Sequence, residues 1–416
     1  MAAGTISDYA SSVLKTIYSS EAIENSTLDK SPLLGMLPKD ENFAGYDFKE
    51  LVFYGDLKGA GNVFSTTQSA INNPNDAVFS LTRKETYAMA ALEGWLIEAA
   101  KAGDKAAFVS ALKRHMDSAL HAIGQTMSHQ LYRNSYGARG TIGTISGTTV
   151  TLNNVDDIVL FEVGMPLVSS LTDGAALSTA IACTVATINR DAGSFTTSVD
   201  MSGQGWTTDD YIYRSTDTDA TTAAVSSGLC ISGLRDWMPA TPTATAFFGQ
   251  NRALDWSRLA GLRYDGSGLS HRETFNNASA RADRDNCRFD HLYLPTSNFA
   301  KLANELGTNV RYVQSQAMGA KGPSATVGFE GISMMGPGGR PVKVFADRWC
   351  PPGLGFGLRN ESWKIRSLNK APHILNLDGL TMMRSATANT YEIRWGVSWQ
   401  LGCRNPGDNM VITLPS

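Results

Sequence analysis

Between Asp104 and Asn134 the apolar residues Phe108, Leu112, Met116, Leu120, Ile123, Met127 and Leu131 recur at steps of three and four. That period places them on one face of a single helix. Asp104, directly after Gly103, is suited to cap its first turn. The run amounts to roughly eight turns, about 45 Å at the standard rise per residue. The polar side of this helix carries Lys105, Lys113, Arg114 and Arg133.

What precedes the helix is different in kind. Residues 8–24, "DYASSVLKTIYSSEAIE", have Val13, Leu14, Ile17 and Tyr18 at helical spacing. "SPLLGMLPKDENFAGYDF" then sets apolar residues between Pro and Gly breaks. This first stretch reads as an extended arm, because it cannot build a core alone. Two strand-like runs follow, 46–55 and 77–97, around a polar tip rich in Gly and Asn. They predict a long projecting hairpin, an element that is poorly stable without a neighbour.

After the helix the pattern changes again. Residues 141–152, "TIGTISGTTVTL", are echoed by 184–198, "TVATINRDAGSFTTS". "FEVGMPLVSS" and "WTTDDYIYR" look like the ends of the two copies. Strand formers and turn formers repeated in this way point to construction rather than chemistry. Residues 137–214 carry eight acidic residues against three arginines, a net charge of -5, and no Lys occurs from 114 to 300. The segment reads as an inserted β-domain. Beyond it, 270–286 predicts a helix, "FDHLYLP" a buried strand, and "TSNFAKLANELG" a capped helix stopped by Gly307. "RPVKVFADRWCPPG" and "LGFGLRN" read as strands, and the C-terminal part as long closing strands. The whole is an α+β chain.

Composition narrows the function. With 416 residues, 42% hydrophobic and 18% charged, the chain can fold into two or three domains with a lightly charged surface. That low charge, with 39 Gly, fits a surface that is largely covered, including by copies of itself. A net charge of -3 excludes a chain-wide basic nucleic-acid binder. Cys183, Cys230, Cys287, Cys350 and Cys403 are scattered without CxxC spacing, which argues against a metal site or disulfide framework and fits a reducing compartment. "MAAGTISDYA" lacks the pattern of a signal peptide, and "AMAALEGWLIEAA", interrupted by Glu93 and Glu98, is too short to span a bilayer.

Candidate chemistry is thin. Asp283, Asp285, Asp290 and His291 could seat metals for nuclease chemistry, but Arg281, Arg284 and Arg288 interleave with them, and the expectation is charge pairing at a helix end. "GPGGRP" and "GLGFG" do not continue as phosphate loops and predict tight turns between strands. Ser267 and Ser270 beside His271 lack a GxSxG elbow. His115, His121 and His129 are spaced by six and eight, unlike a helical metal pair. No catalytic, cofactor-binding or metal residue is assigned.

The order of elements resembles the major capsid proteins of tailed bacteriophages, the Hong Kong 97-type fold. "VLKTIYSSEAIENSTLDKSPLLGMLPK", Gly45 and "LVFYG" look like its N-arm leading into the extended loop. "KAGDKAAFVSALKRHMDSALHAIGQTMSHQLY" looks like its spine helix, and "FDHLYLPTSNFAKLA" like a strand and helix of its axial domain. "GRPVKVFADRWCPPG", "SWKI" and "DG" look like its later strands. The resemblance implies an N-arm over 1–45, an extended loop over 46–97, a spine helix over 98–136, the insertion at 137–214, an axial domain over 215–372 and closing strands over 373–416.

It also implies a self-assembling structural protein and not an enzyme. Hexamers and pentamers of the chain would form an icosahedral head around double-stranded DNA, with no cofactor and no membrane. Further partners would be a decoration protein, a portal and a separate scaffolding protein, since the arm begins at Met1. The place would be the virion, assembled in the host cytoplasm. Lys105, Lys113, Arg114 and Arg133 would face packaged DNA. Lys58, near the hairpin tip, sits where some relatives form Lys–Asn cross-links, with Asn72, Asn73 and Asn75 nearby; the expectation here is a solvated lysine. Two other readings stand beside this one: an encapsulin-like protein shell, and a metal-dependent DNA-processing enzyme built on the Asp283 cluster.

Overall fold

The computed structural model describes residues 31–415 except 44, 57–58, 71–74, 95–104, 178–182, 218–227, 243, 307–331, 377–378, 380–381 and 386; within 105–112 and at 332 it describes the backbone only. The expected 8–24 helix, Lys58, Asn72 and Asn73, the Asp104 cap and the Gly307 stop lie outside the described residues.

Ser31 caps a short helix, α1 (Pro32–Met36), and Pro32 fits a first turn that needs no N–H. A two-residue strand, β1 (Lys39–Asp40), leads to β2 (Asp47–Gly55). After α2 (Phe64–Ser69), β3 (Asn75–Thr82) pairs antiparallel with β2 as a two-stranded ribbon. The run expected as one strand over 77–97 breaks at Arg83. Its buried positions are odd-numbered through Leu81 and even-numbered from Thr86. A period-2 element cannot change phase and keep one face buried. So β4 (Lys84–Glu93) leaves the ribbon for a different sheet.

The long helix is α3 (Lys105–Tyr132), 28 residues, about 42 Å by its rise per residue. Met116, Leu120, Ile123, Met127 and Leu131 are buried, as their spacing requires. From Thr126 to Arg133 every residue is buried, so the last turns are enclosed on all sides.

The Thr-rich copies form two hairpins, β5 (Gly140–Ser146) with β6 (Thr149–Leu152), and β8 (Cys183–Asn189) with β9 (Ser194–Thr197). Together with β7 (Pro166–Ser170) and β10 (Tyr211–Arg214) they close a barrel in the order β5-β6-β9-β8-β7-β10. Every neighbouring pair is antiparallel. The barrel has an approximate two-fold axis, with Val150 opposite Phe195 at the β6–β9 seam. The ladder slips after Ile142 in one hairpin and after Val185 in the other. Ile142 N donates to Asp210 O at 2.9 Å, and Val185 N to Met165 O at 3.0 Å. Asp209 N donates to Ile142 O at 2.7 Å, and Gly164 N to Val185 O at 2.8 Å. Gly164 and Asp209 both hold positive φ, 85° and 69°. The repeat is therefore a three-strand unit present twice. The third strand of each unit pairs only with strands of the other, so neither unit closes alone.

The remainder builds two sheets. After α4 (Leu234–Trp237) and α5 (Trp256–Ala260) come β11 (Leu262–Asp265), α6 (His271–Arg284), β12 (His291–Leu294) and α7 (Thr296–Leu306). Then follow β13 (Ile332–Met335), β14 (Pro341–Ala346) and β15 (Leu354–Leu358). The chain continues through β16 (Trp363–Ser367), β17 (His373–Ile374), β18 (Met383–Arg384), β19 (Thr390–Cys403) and β20 (Met410–Thr413). One mixed sheet runs β11-β20-β15-β12-β14-β13 and packs α6 and α7 through a core that includes Phe275, Ala278, Leu292, Leu302 and Val344. The other runs β1-β16-β19-β17, with β4 and β18 also on β19; β4 pairs with β19 over ten residues. Trp237, Trp363, Trp395 and Trp399 lie fully buried in the core this second sheet shares with α3 and α4. Among the described residues no helix is long and apolar enough to cross a membrane.

Candidate assembly surfaces

Strand alternation gives the β2–β3 ribbon two unlike faces. Glu50 and Val52 point inward beside Phe79 and Ala77. Leu51 and Phe53 point outward, 44% and 65% exposed. Tyr46, Val63 and Phe64 add exposed apolar surface at the root and in the connection. Among the described residues no third strand joins the ribbon, and its β3 edge is held by the turn at 247–250, where Ser80 N donates to Phe248 O at 3.0 Å and Gln250 Nε2 to Val78 O at 2.9 Å. A large exposed apolar face marks a surface made to be covered.

The root of this ribbon is clamped. Arg366 donates to Asp40 and, from Nη2, to Glu50 Oε2 at 2.7 Å; Arg404 Nε donates to Glu50 Oε1 at 3.1 Å. A buried carboxylate is tolerated here because two guanidinium groups compensate it. A second tie holds the start of the described chain. Asp347, buried, accepts from Ser31 Oγ at 2.8 Å, Tyr132 Oη at 2.9 Å and Trp349 N at 3.0 Å. Burial pushes its carboxyl above the usual range. An open cleft of roughly 350 Å³ runs between β4 and α3, where Ala91, Ala119 and Ala122 leave room and Tyr87 and Met89 form a wall. The alternation in "KELVFYG" carried the signal for the apolar face. Nothing local showed that Glu50 would meet Arg366 and Arg404.

The basic residues of α3 are not equivalent. Lys113 and Arg114 are exposed on its N-terminal half, and the side chain of Lys105 lies outside the described residues. Arg133 departs from the expected polar side. It is buried, and its Nη2 donates to Asp157 Oδ1 at 2.8 Å, because the barrel closes over the last turn of the helix. Burial raises the Asp157 carboxyl and Arg133 draws it back down. His129 is also enclosed there. Burial, then the charges of Arg139, Arg133 and Arg214, hold its imidazole well below its usual pKa.

The remaining chemical candidates resolve into structure. Asp285 is held by Arg281 at 3.1 Å and Arg284 at 3.4 Å, and Asp290 by His291 at 2.7 Å. No group of three His, Cys, Asp or Glu converges on a common point among the described residues. Ser270 forms a capping box with Glu273 at the start of α6, and His271 bonds Glu305 at 3.1 Å. "GPGGRP" forms the turn between β13 and β14, with Gly338 and Gly339 at positive φ. "GLGFG", expected as a turn, is strand β15 after the turn at Gly353; a Cβ at Gly357 would meet the Phe289 ring at 3.0 Å. All five cysteines are buried free thiols.

No protein-family model and no curated protein matches the sequence. Among solved structures, the chain is similar to the capsid protein in the asymmetric unit of cyanophage A-1(L), with a TM-score of 0.51 and 12% identity, over 92% of this chain and 93% of that one. The fold is that of tailed-phage capsid proteins of the Hong Kong 97 type. Mycobacterium phage Bobi gives a TM-score of 0.44 at 9% identity, over 93% of this chain and 91% of that one. The capsid of a native GTA particle gives 0.41 at 9%, over 94% and 91%.

Proposed function

We propose that the chain is the major capsid protein of a tailed bacteriophage, copies of which close into an icosahedral head around double-stranded DNA. The observation that carries this reading is a capsid-protein fold over nearly the full chain, with an apolar ribbon face that is exposed among the described residues. The ribbon of the 46–97 extended loop would lie on a neighbouring copy, with the 1–45 arm as a second clasp. Binding energy is then spread over many repeated contacts, in hexamers and pentamers. The spine-helix segment is 98–136, the axial domain 215–372, and the closing strands 373–416. The role is structural rather than enzymatic.

Lys113 and Arg114, with Lys105, would line the interior and offset phosphate repulsion without reading sequence. The barrel segment 137–214, at net charge -5, suits the outer face, where carboxylates do not press on DNA. There it can meet neighbouring barrels or seat a decoration protein. A portal and separate scaffolding would complete assembly in the host cytoplasm, and the product would reside in the virion.

Negative-stain microscopy of the purified chain tests the proposal. Uniform hollow shells or capsomer rings are expected; a discrete monomer that never assembles would overturn it. Shells packed with protein instead of DNA would point to a nanocompartment. Protease treatment of filled heads tests the placement of the barrel: cleavage near Gly203 is expected, and complete protection until the head is disrupted would put the barrel inside.

A further inference from the structure

Residues opposite one another in an antiparallel pair share a face. On the ribbon, Leu51 stands opposite Val78 and Phe53 opposite Asp76. The exposed Phe53 ring therefore projects with an exposed carboxylate directly beside it. The cleft between β4 and α3 is built the other way round. Alanines from both elements, among them Ala91 and Ala122, leave a hole of roughly 350 Å³, walled by the exposed Tyr87 and Met89. No acidic residue lines it. Arg214 in the lining is balanced by Asp217 at 2.6 Å, and the exposed His115 and Ser118 can donate hydrogen bonds. No ribbon residue lines the cleft of its own chain. Although β3 and β4 follow one another at Arg83, they share no ladder, so the ribbon does not fold back along β4. Phe53 stands toward the far end of the ribbon, whereas the cleft begins beyond its root, at Tyr87.

We infer that Phe53 of one copy seats in the β4–α3 cleft of a second copy, with Asp76 received by His115 and Ser118. This contact rests on the shell reading and names the surface that receives the ribbon. The two sides match in chemistry. An aromatic knob enters a floor of small side chains, and its neighbouring acid meets hydrogen-bond donors with no opposing carboxylate in the lining. Among the described residues the other exposed charges of the ribbon are Asp47, Lys49 and Asp56, so the ribbon arrives net acidic at a lining free of acid. Aromatic anchors seated in pockets carry most of the energy of protein interfaces, and the water they exclude strengthens the polar contacts beside them. Knob and hole lie on different surfaces of the chain, so the contact is heterologous. Repeated around a closing ring, it fills every hole with the knob of the next copy.

Two variants of the full chain test the contact. Leu51→Cys with Ala122→Cys places one thiol beside the knob and one in the hole; both positions are exposed, and the five native cysteines are buried. A short bis-maleimide added to assembled particles should give a ladder of covalent multimers on a denaturing gel, whereas either single variant should stay at monomer mass. Ala122→Trp fills the hole from an exposed position of the helix. It should leave the Tm of the unassembled chain within a few degrees of wild type and reduce the yield of closed shells at least tenfold. Normal shells from Ala122→Trp, or a double-cysteine chain that stays monomeric on the gel within intact shells, would overturn the contact and leave the shell reading in place. An equal ladder from Leu51→Cys alone would set ribbon against ribbon and overturn it too. A wild-type chain that never forms shells or capsomer rings removes the shell reading, and the contact with it.

Discussion

Glu50 and Arg366 meet through a 2.7 Å Oε2–Nη2 bond, with side chains only 4% and 3% exposed. One belongs to the ribbon and the other to β16 of the sheet behind it. This bond, with Asp40 and Arg404 around it, fixes the direction in which the ribbon leaves the body. Glu50→Ala would leave Arg366 with Asp40 alone and Arg404 without this partner. Removing one member of a buried pair costs about 3–5 kcal/mol, and the remaining Asp40 contact argues for the lower figure. Denaturant unfolding should show a loss of about 3 kcal/mol, with faster proteolysis of the ribbon than of the body. An unchanged midpoint would mean that the clamp adds nothing.

Phe53 tests assembly without touching the core. It is 65% exposed on the outer face of the ribbon. Phe53→Asp should therefore leave thermal stability within about 0.5 kcal/mol of wild type, as for surface changes generally. On the proposed reading it should also abolish closed shells, since a charge would be buried at every repeated contact. Normal shells from this variant, seen by microscopy and sedimentation, would remove the ribbon face from the assembly interface.

Phe195 sits where the two barrel units meet. It is 1% exposed, stacks on Phe161 with ring centroids 5.0 Å apart, and faces Val150 across the seam. Phe195→Ala should cost about 3–5 kcal/mol, the usual loss for a buried aromatic. Val150→Ala, at the equivalent position, should cost less because fewer atoms are removed. Calorimetry on both variants checks the order. Equal losses would argue against a shared core at the axis.

His129 sets a pH dependence. Its folded-state pKa is depressed, chiefly by burial, so the folded chain holds it neutral. The unfolded chain takes up a proton below about pH 6.5, the ordinary value for His. Its contribution is therefore complete above pH 6.5 and is lost as pH falls from there toward the folded value, with a slope of about 1.4 kcal/mol per pH unit. Asp157 and Asp347 act in the opposite sense, because burial raises them and protonation favours their folded form. The comparison that isolates His129 is wild type against His129→Gln, which can still donate to Ala138 O, the 3.2 Å partner of the ring. The variant should show a flatter stability profile between pH 6.5 and 5. Parallel profiles would mean that His129 is charged, or open to water, in the folded state.

Local periodicity determined much of this protein directly. The steps from Met116 to Leu131 fix α3, the Ser270–Glu273 box fixes the start of α6, and the Thr-rich runs fix two hairpins. These features were legible because caps, turns and one-sided burial act within a few residues. Partner choice was not. That β4 pairs with β19 some 300 residues later, that each barrel unit closes with the third strand of the other, and that Arg133 turns from solvent to Asp157 were decided by the tertiary structure. The physical reason is that burial and charge compensation depend on which surfaces meet, and many strands of equal period could have met. The chain thus specified its elements locally, and its candidate assembly surface arose only where packing left one face of the ribbon exposed among the described residues.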